Sequence, residues 1–401
     1  MRTLGFSSSI IANILVLSML FITFSQLRIF NLPIGFGELC ILLLGLIVYV
    51  QIRDTKIKKL MINIYENNFI RFWLMYFILL AFSFFWIADY SSTYSSMHSI
   101  IHDSCAYVFV FYICILLTLL NNYNKIDLNE AMKNFILLIV FVHVFLLIGF
   151  LVFGILKFEI NASRLIVDRF SGLANNPNQL GLVFSLVPFL LYYYYKVQNK
   201  KIGKKLFYLL IFFTLIIGYV NASKSLYLSW LIPFCILAAY EFIRRKYKFT
   251  IIILFSTIIF LGSIVFYFDL INFLLYYKGS GSVNHRIELL NNAILLLEQS
   301  PLIGFGPGAH ISSIQNTEIY WEVHNTFIDI SLQVGILGVI VYILLLLQIG
   351  INLIKVNKYY LLFALLSLII FSSFHFVFRQ PIFWFYLFYF YQAGKSKSCV
   401  E

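Results

Sequence analysis

A chain of 401 residues that is 61% hydrophobic and only 11% charged cannot bury its apolar surface in a water-soluble core. Its mean hydropathy of +0.90 makes a bilayer its solvent. The formal charge of +12 does not mark a nucleic-acid binder, because the basic residues lie in short runs between apolar segments, where insertion with the positive side inward puts them.

A spanning helix needs about 20 mostly apolar residues. The sequence predicts about twelve such segments, near 9–26, 33–52, 68–88, 104–121, 134–156, 178–195, 206–221, 225–243, 249–268, 325–349, 359–378 and 382–393. The first is expected to stay as a membrane helix, since Gln26-Leu27-Arg28 follows it and no small-residue cleavage site does. With the N-terminus placed in the cytoplasm, eight of the 29 Lys and Arg face outward: Arg28, Lys157, Arg164, Arg169, Lys224, Lys278, Arg286 and Arg379. The other 21 lie on the cytoplasmic side, a bias that sets the orientation and leaves both termini inside. Aromatic residues, 19% of the chain, gather at span ends, as in Tyr192 to Tyr195 before Lys196, and form an interfacial belt. Cys40, Cys114 and Cys235 fall inside spans, Cys105 at the edge of one and Cys399 in the tail, which is no disulfide framework.

The expected fold class is therefore an all-α polytopic membrane protein, one membrane domain over residues 1–401. Most loops are short. Residues 269–324 form one large extracytoplasmic loop, and a long loop in a compact protein usually carries function. Within it Ile287, Leu290, Ile294 and Leu297 recur at helical spacing and predict an amphipathic helix over 285–299, lying against the membrane surface. Pro301 ends that helix, and Gly304, Gly306 and Gly308 make the next segment turn-rich.

Candidate chemistry gathers on the outer side. Arg164 and Arg169 lie between the fifth and sixth spans, where an anionic ligand would explain them and an ion pair with Asp168 or with lipid headgroups is the competing reading. Asn176 and Pro177 suit the start of the sixth span, with Asn178 beside them, and the free amides there favour an anion. Lys224, in Ser223-Lys224-Ser225, is either a snorkelling anchor or a phosphate contact. Arg286 opens the amphipathic helix beside His285, and alone it reads as a solvated charge. His324, followed by Asn325, stands where the long loop re-enters the membrane; its imidazole is suited to taking a proton from a hydroxyl, and a helix cap is the plainer reading. His98, His102 and Asp103 are a weak metal pattern. No Asp-x-Asp occurs in the chain, so the metal-diphosphate clamp of many glycosyltransferases is missing. Gly304-Phe-Gly-Pro-Gly has no preceding strand and is not a dinucleotide loop.

Taken in order, these pieces resemble the O-antigen polymerase and ligase superfamily of bacterial membrane proteins. The resemblance rests on Pro301-Leu-Ile-Gly-Phe-Gly-Pro-Gly-Ala-His, then His324-Asn325-Thr-Phe-Ile, then Gly335-Ile-Leu-Gly338. Arg286 precedes the turn as in the family, and Arg169, Gly172 and Asn176-Pro177-Asn178 resemble the upstream motif. The matched region runs over about residues 164–345. Lys224 replaces the usual arginine, and Gln333 stands where many members have Glu.

The resemblance implies a glycosyltransferase without cofactor or metal, in the bacterial cytoplasmic membrane with its active site on the extracytoplasmic side. Its donor would be a glycan on undecaprenyl diphosphate, held by Arg169, Arg286, Arg164 and Lys224. His324 would deprotonate the acceptor hydroxyl, with inversion at the anomeric carbon. Asn325, Asn176, Asn178, Gly304 and Gly306 would support the site. Membrane lipid and a chain-length regulator are the further partners implied, and nucleic acid is not one. Family base rates favour a polymerase that joins lipid-linked repeat units over a ligase that moves finished glycan to a lipid or protein acceptor. A polysaccharide transporter or flippase is the reading from another class, marked by broken helices with polar residues at the membrane midplane.

Overall fold

The computed structural model describes residues 8–23, 35–52, 67–86, 97–123, 126–155, 165–166, 169–197, 202–244, 281–309 and 322–395. The predicted span at 249–268, Arg164 and Asp168 fall outside the described residues, as do the side chains of His98, His285 and Arg286.

The protein is an all-α polytopic membrane protein. Helices α1 (Ser8–Thr23), α2 (Phe36–Ile52), α3 (Asn68–Trp86), α4 (Met97–Tyr123) and α5 (Leu128–Ile155) lead to a two-residue antiparallel pair, β1 (Leu165–Ile166) and β2 (Arg169–Phe170). Then come α6 (Pro177–Ser185), α7 (Val187–Lys196), α8 (Lys204–Asn221), α9 (Lys224–Arg244), α10 (Gly281–Leu297), α11 (Thr326–Lys355), α12 (Tyr359–Ser372) and α13 (Pro381–Lys395). Among the described residues six helices are long and apolar enough to cross a membrane: α3, α8, α11 and most of α4, α5 and α9. Helices α1 and α12 and most of α2 are apolar but shorter.

Two predicted spans are broken, for reasons local to the sequence. The segment at 178–195 is α6 and α7, separated at Leu186. Pro188 has no N–H for the Phe184 carbonyl, so the helical ladder fails there. Trp230 of α9 donates its indole N–H to Phe184 O at 3.1 Å, and Ser367 of α12 donates to Ser185 O at 2.6 Å. Neighbouring helices thus satisfy the freed carbonyls, as apolar surroundings require.

The second break is in α11, at Val334 (φ −129°) and Gly335 (φ +66°). Here the turn at 301–309 fills the gap. Phe305 N–H donates to Leu332 O at 2.7 Å, Gly306 N–H to Gln333 O at 2.8 Å, and Ile336 N–H to Pro301 O at 2.9 Å. The approach is tight: a Cβ on Gly304 would lie 2.6 Å from Gly335 N, and one on Gly335 would lie 2.1 Å from Leu302 O. Ser83 of α3 fastens the same turn through Ile303 O at 2.6 Å.

The predicted amphipathic helix is α10, with one adjustment. Leu289, Ala293 and Leu296 face the protein and pack with Phe305, Val323 and Leu332. Leu290 and Ile294, two members of the predicted stripe, are exposed instead. The helix carries two adjacent apolar stripes, and periodicity alone does not say which one meets protein.

Hydrogen bonds define two ends of the bundle. At one end Tyr194 donates to Asn129 O, Tyr192 and Tyr360 both donate to the buried Glu241, and Lys358 donates to Ala393 O. At the other end residues 99–103, 169–178, 221–225, 301–309, 322–326 and 375–379 come together, and the candidate chemistry lies there. Between the ends an aromatic cluster holds α3, α11 and α13 against the segment after α12. Phe378 lies 5.6 Å from Trp73, 5.0 Å from Trp384 and 4.9 Å from Tyr76.

Candidate functional site

The cationic side of the site is built on the junction between α8 and α9. Asn221, the buried last residue of α8, donates through Nδ2 to Phe170 O at 2.9 Å and to Pro177 O at 2.8 Å. This stitches the segment carrying Arg169 to the helix end. Arg169 then donates from Nε to Asn221 O at 3.0 Å and from Nη2 to Asn178 Oδ1 at 3.1 Å. Asn176 caps α6 by accepting from Asn178 N at 2.8 Å, which fixes the residue that aims the guanidinium. The two asparagines are therefore a cap and a guide for Arg169. Ala222, in the left-handed region (φ +51°), ends α8, and the exposed Lys224 opens α9 two residues later. Arg169 and Lys224 are thus attached to one short junction.

The imidazole side is built on the start of α11. His324 has φ +59°, a left-handed backbone that costs an L-residue about 1–2 kcal/mol. Asp329 holds that conformation. Its buried carboxylate accepts from the amides on either side of His324, Val323 N at 3.1 Å and Asn325 N at 3.2 Å. Asn325 caps α11 by accepting from Phe327 N at 3.0 Å and Ile328 N at 3.3 Å. His324 itself projects from the turn half-buried, with its ring 6.4 Å from that of His375 and inclined at 67°.

His375 was not singled out by the sequence. It lies between α12 and α13, stacked 4.7 Å from Phe371, and its Nε2 is 2.6 Å from Ser225 Oγ. Ser225 Oγ is in turn 2.9 Å from Ser223 Oγ. On its other side the backbone carbonyl of His375 accepts from Thr326 Oγ1 at 2.7 Å, and Thr326 Oγ1 in turn accepts from Val377 N at 3.0 Å. A continuous hydrogen-bonded path therefore runs from the α8–α9 junction to the residue two positions after His324.

Arg379, another outer arginine of the sequence reading, has a different use. It donates to Asp103 Oδ1 at 2.7 Å from Nη1 and pairs with Glu322 through Nη2. Burial disfavours its charge, but Glu322 and Asp103 outweigh that effect and hold the guanidinium above its ordinary pKa. Asp103 also accepts from Gln333 Nε2 at 3.1 Å, and Gln333 Oε1 accepts from Tyr107 OH at 2.5 Å. Gln333 fits this position because Asp103 already supplies the negative charge beside it. The carboxylate of the weak His98–His102–Asp103 pattern is thus engaged by Arg379 and Gln333. Gly304 and Gly306 belong to the turn that fills the break in α11 and act there as backbone.

Residues 207–343 match a family model described as O-antigen ligase. Over that segment the chain is similar to the O-antigen ligase family, which supports the resemblance to the O-antigen ligase and polymerase superfamily. The match covers about a third of the 401 residues, from the first turn of α8 to the middle of α11. It includes Lys224, Gly304, Gly306, His324 and Asn325, while Arg169 and both asparagines precede it and His375 follows it. The matched segment therefore holds the imidazole side and half of the cationic side. No curated protein matches the chain.

Proposed function

We propose that the protein is an inverting, metal-independent glycosyltransferase that polymerises a surface polysaccharide from repeat units carried on undecaprenyl diphosphate. The observation that carries this reading is the pairing of a strained, clamped His324 with a cationic junction holding Arg169 and Lys224, joined through His375 at one end of a membrane bundle. The O-antigen ligase match supports a lipid-linked glycan as substrate. The positive-inside bias puts this end outside the bacterial cytoplasmic membrane.

In this reading the region 164–345, with the loop 269–324 inside it, carries the transfer. Arg169 and Lys224, with Arg286 and Arg164, bind the donor diphosphate. His324 takes the proton of the acceptor hydroxyl as the oxygen attacks the anomeric carbon. The bond from that carbon to the phosphate oxygen breaks, and the diphosphate leaves with the electron pair. Preorganised cations stabilise the charge as it develops.

The description of the matched family favours a second reading, a ligase that moves finished glycan to a lipid or protein acceptor. A deletion strain separates the two. Single repeat units on the surface support the polymerase, and full-length lipid-linked chains beside an unmodified acceptor overturn it in favour of the ligase. A transporter is disfavoured because the break in α11 is filled by the protein's own amides, and Asp103, Arg379 and Gln333 bond to one another. Elongation by purified protein, given lipid-linked repeat alone, excludes pure transport.

A further inference from the structure

His375 is the one described side chain that meets the α8–α9 junction through its ring while its own backbone meets the start of α11. Ser225, its ring partner, lies in the first turn of α9, beside Lys224 and four residues past the Asn221 carbonyl that holds Arg169. Thr326, its backbone partner, is the first residue of α11, next to the cap Asn325 and two residues after His324. Both contacts are buried, so water does not compete for them. Phe371 packs on the ring and Val377 N–H closes the loop onto Thr326, which leaves His375 little freedom to turn.

We propose that His375 is a positioning residue that sets the separation and angle between the base, His324, and the cationic junction of Arg169 and Lys224. This rests on the glycosyl-transfer reading and adds to it a residue that need not touch either substrate. The base and the diphosphate clamp come from elements far apart in the chain. An in-line displacement requires the acceptor hydroxyl, the anomeric carbon and the leaving oxygen to be aligned. A misplacement of about 1 Å costs on the order of a hundredfold in rate. The Ser225–His375–Thr326 bridge is a buried hydrogen-bonded path across that gap. Cutting it leaves each half-site intact and only loosens their alignment, so binding survives and turnover falls.

The test uses the full-length protein purified in lipid, with lipid-linked repeat unit as substrate, and measures kcat and the donor KM separately. His375→Ala is expected to lower kcat by roughly a hundredfold with the donor KM unchanged. Ser225→Ala, a smaller change that keeps the fold if His375→Ala does not, is expected to lower kcat in the same sense. The double variant should be no worse than His375→Ala, because both cut one path. His375→Gln should recover most of the rate, since its terminal amide nitrogen can reach Ser225 Oγ. Wild-type kcat in Ser225→Ala overturns the proposal, and so does a His375→Gln variant as slow as His375→Ala, which would make the ring a chemical participant. Absence of elongation by the wild-type protein would instead sink the glycosyl-transfer reading itself.

Discussion

His324 sits in the left-handed region that few L-residues occupy, although His is among the types enriched there. Such strain persists only where the surroundings over-determine it. Here the two flanking amides are both bound to the carboxylate of Asp329. Replacing Asp329 by Asn leaves one oxygen for two amides, so the turn should relax and kcat fall while the helix itself survives. In the proposed mechanism His324 is the base, so His324→Ala should lower kcat by about 10²–10⁴-fold with protein abundance unchanged. Wild-type chain lengths in that variant would remove His324 from the role. Arg169 predicts a different signature, because its guanidinium spans two acceptors at once, Asn221 O and Asn178 Oδ1. Arg169→Ala should weaken donor binding by about ten- to a hundredfold, the scale of one hydrogen bond to a charged group. Arg169→Lys should not restore it, since an ammonium cannot reproduce the fork. Unchanged donor affinity in both variants would contradict the diphosphate assignment.

At the scale of elements, the break in α11 is the feature on which the site's shape depends. The turn at 301–306 lends its amides to carbonyls that a continuous helix would have used itself, and Gly335 makes room for Leu302 O. Gly335→Ala should therefore destabilise the protein by more than the roughly 1–2 kcal/mol of a left-handed alanine, because a backbone oxygen occupies the space of the new methyl. A lowered melting temperature in lipid would show it, and an unchanged one would mean the turn can withdraw. Gln333→Glu tests the neighbouring network. It would place a second buried carboxylate beside Asp103, with Arg379 already shared with Glu322, at a cost of about 3–5 kcal/mol if left ionised.

The apolar helices, the Gly-rich turn after Pro301 and the start of a helix just after His324 were legible in the sequence because each is a local pattern within a few residues. What the sequence did not disclose is what those patterns meet. Asp103 and Arg379 are 276 residues apart, and Ser225 and His375 are 150 apart. His375, alone between Phe374 and Phe376, therefore carried no signal of its partner, and Arg379 was only one of the eight outward Lys and Arg. The outer position of His375 was the available signal, but position does not name a partner. The same limit applies to α10, where the spacing found an amphipathic helix and could not say which stripe met the protein.

For the whole molecule, the question is which end faces the cell exterior, since the proposed lipid-linked donor would have to meet the site there. The geometry supplies a ruler. Helix α8 runs from Lys204 at the end opposite the site to Asn221 at the site, 18 residues that span about 27 Å, close to the roughly 30 Å of a bilayer core. Lys204 and Lys224 are both exposed and lie at opposite ends. The eight outward Lys and Arg of the 29 include Lys224, and the larger basic group includes Lys204. In a background lacking the five native cysteines, Lys224→Cys should react with a membrane-impermeant maleimide in intact cells, and Lys204→Cys should react only after permeabilisation. The reverse pattern would put the imidazoles and the cationic junction inside, where nucleotide-activated donors are plentiful, and would turn the proposed reaction toward a different substrate. Labelling of both positions in intact cells would mean that α8 does not cross the bilayer, and the two-ended reading of the bundle would fall with it.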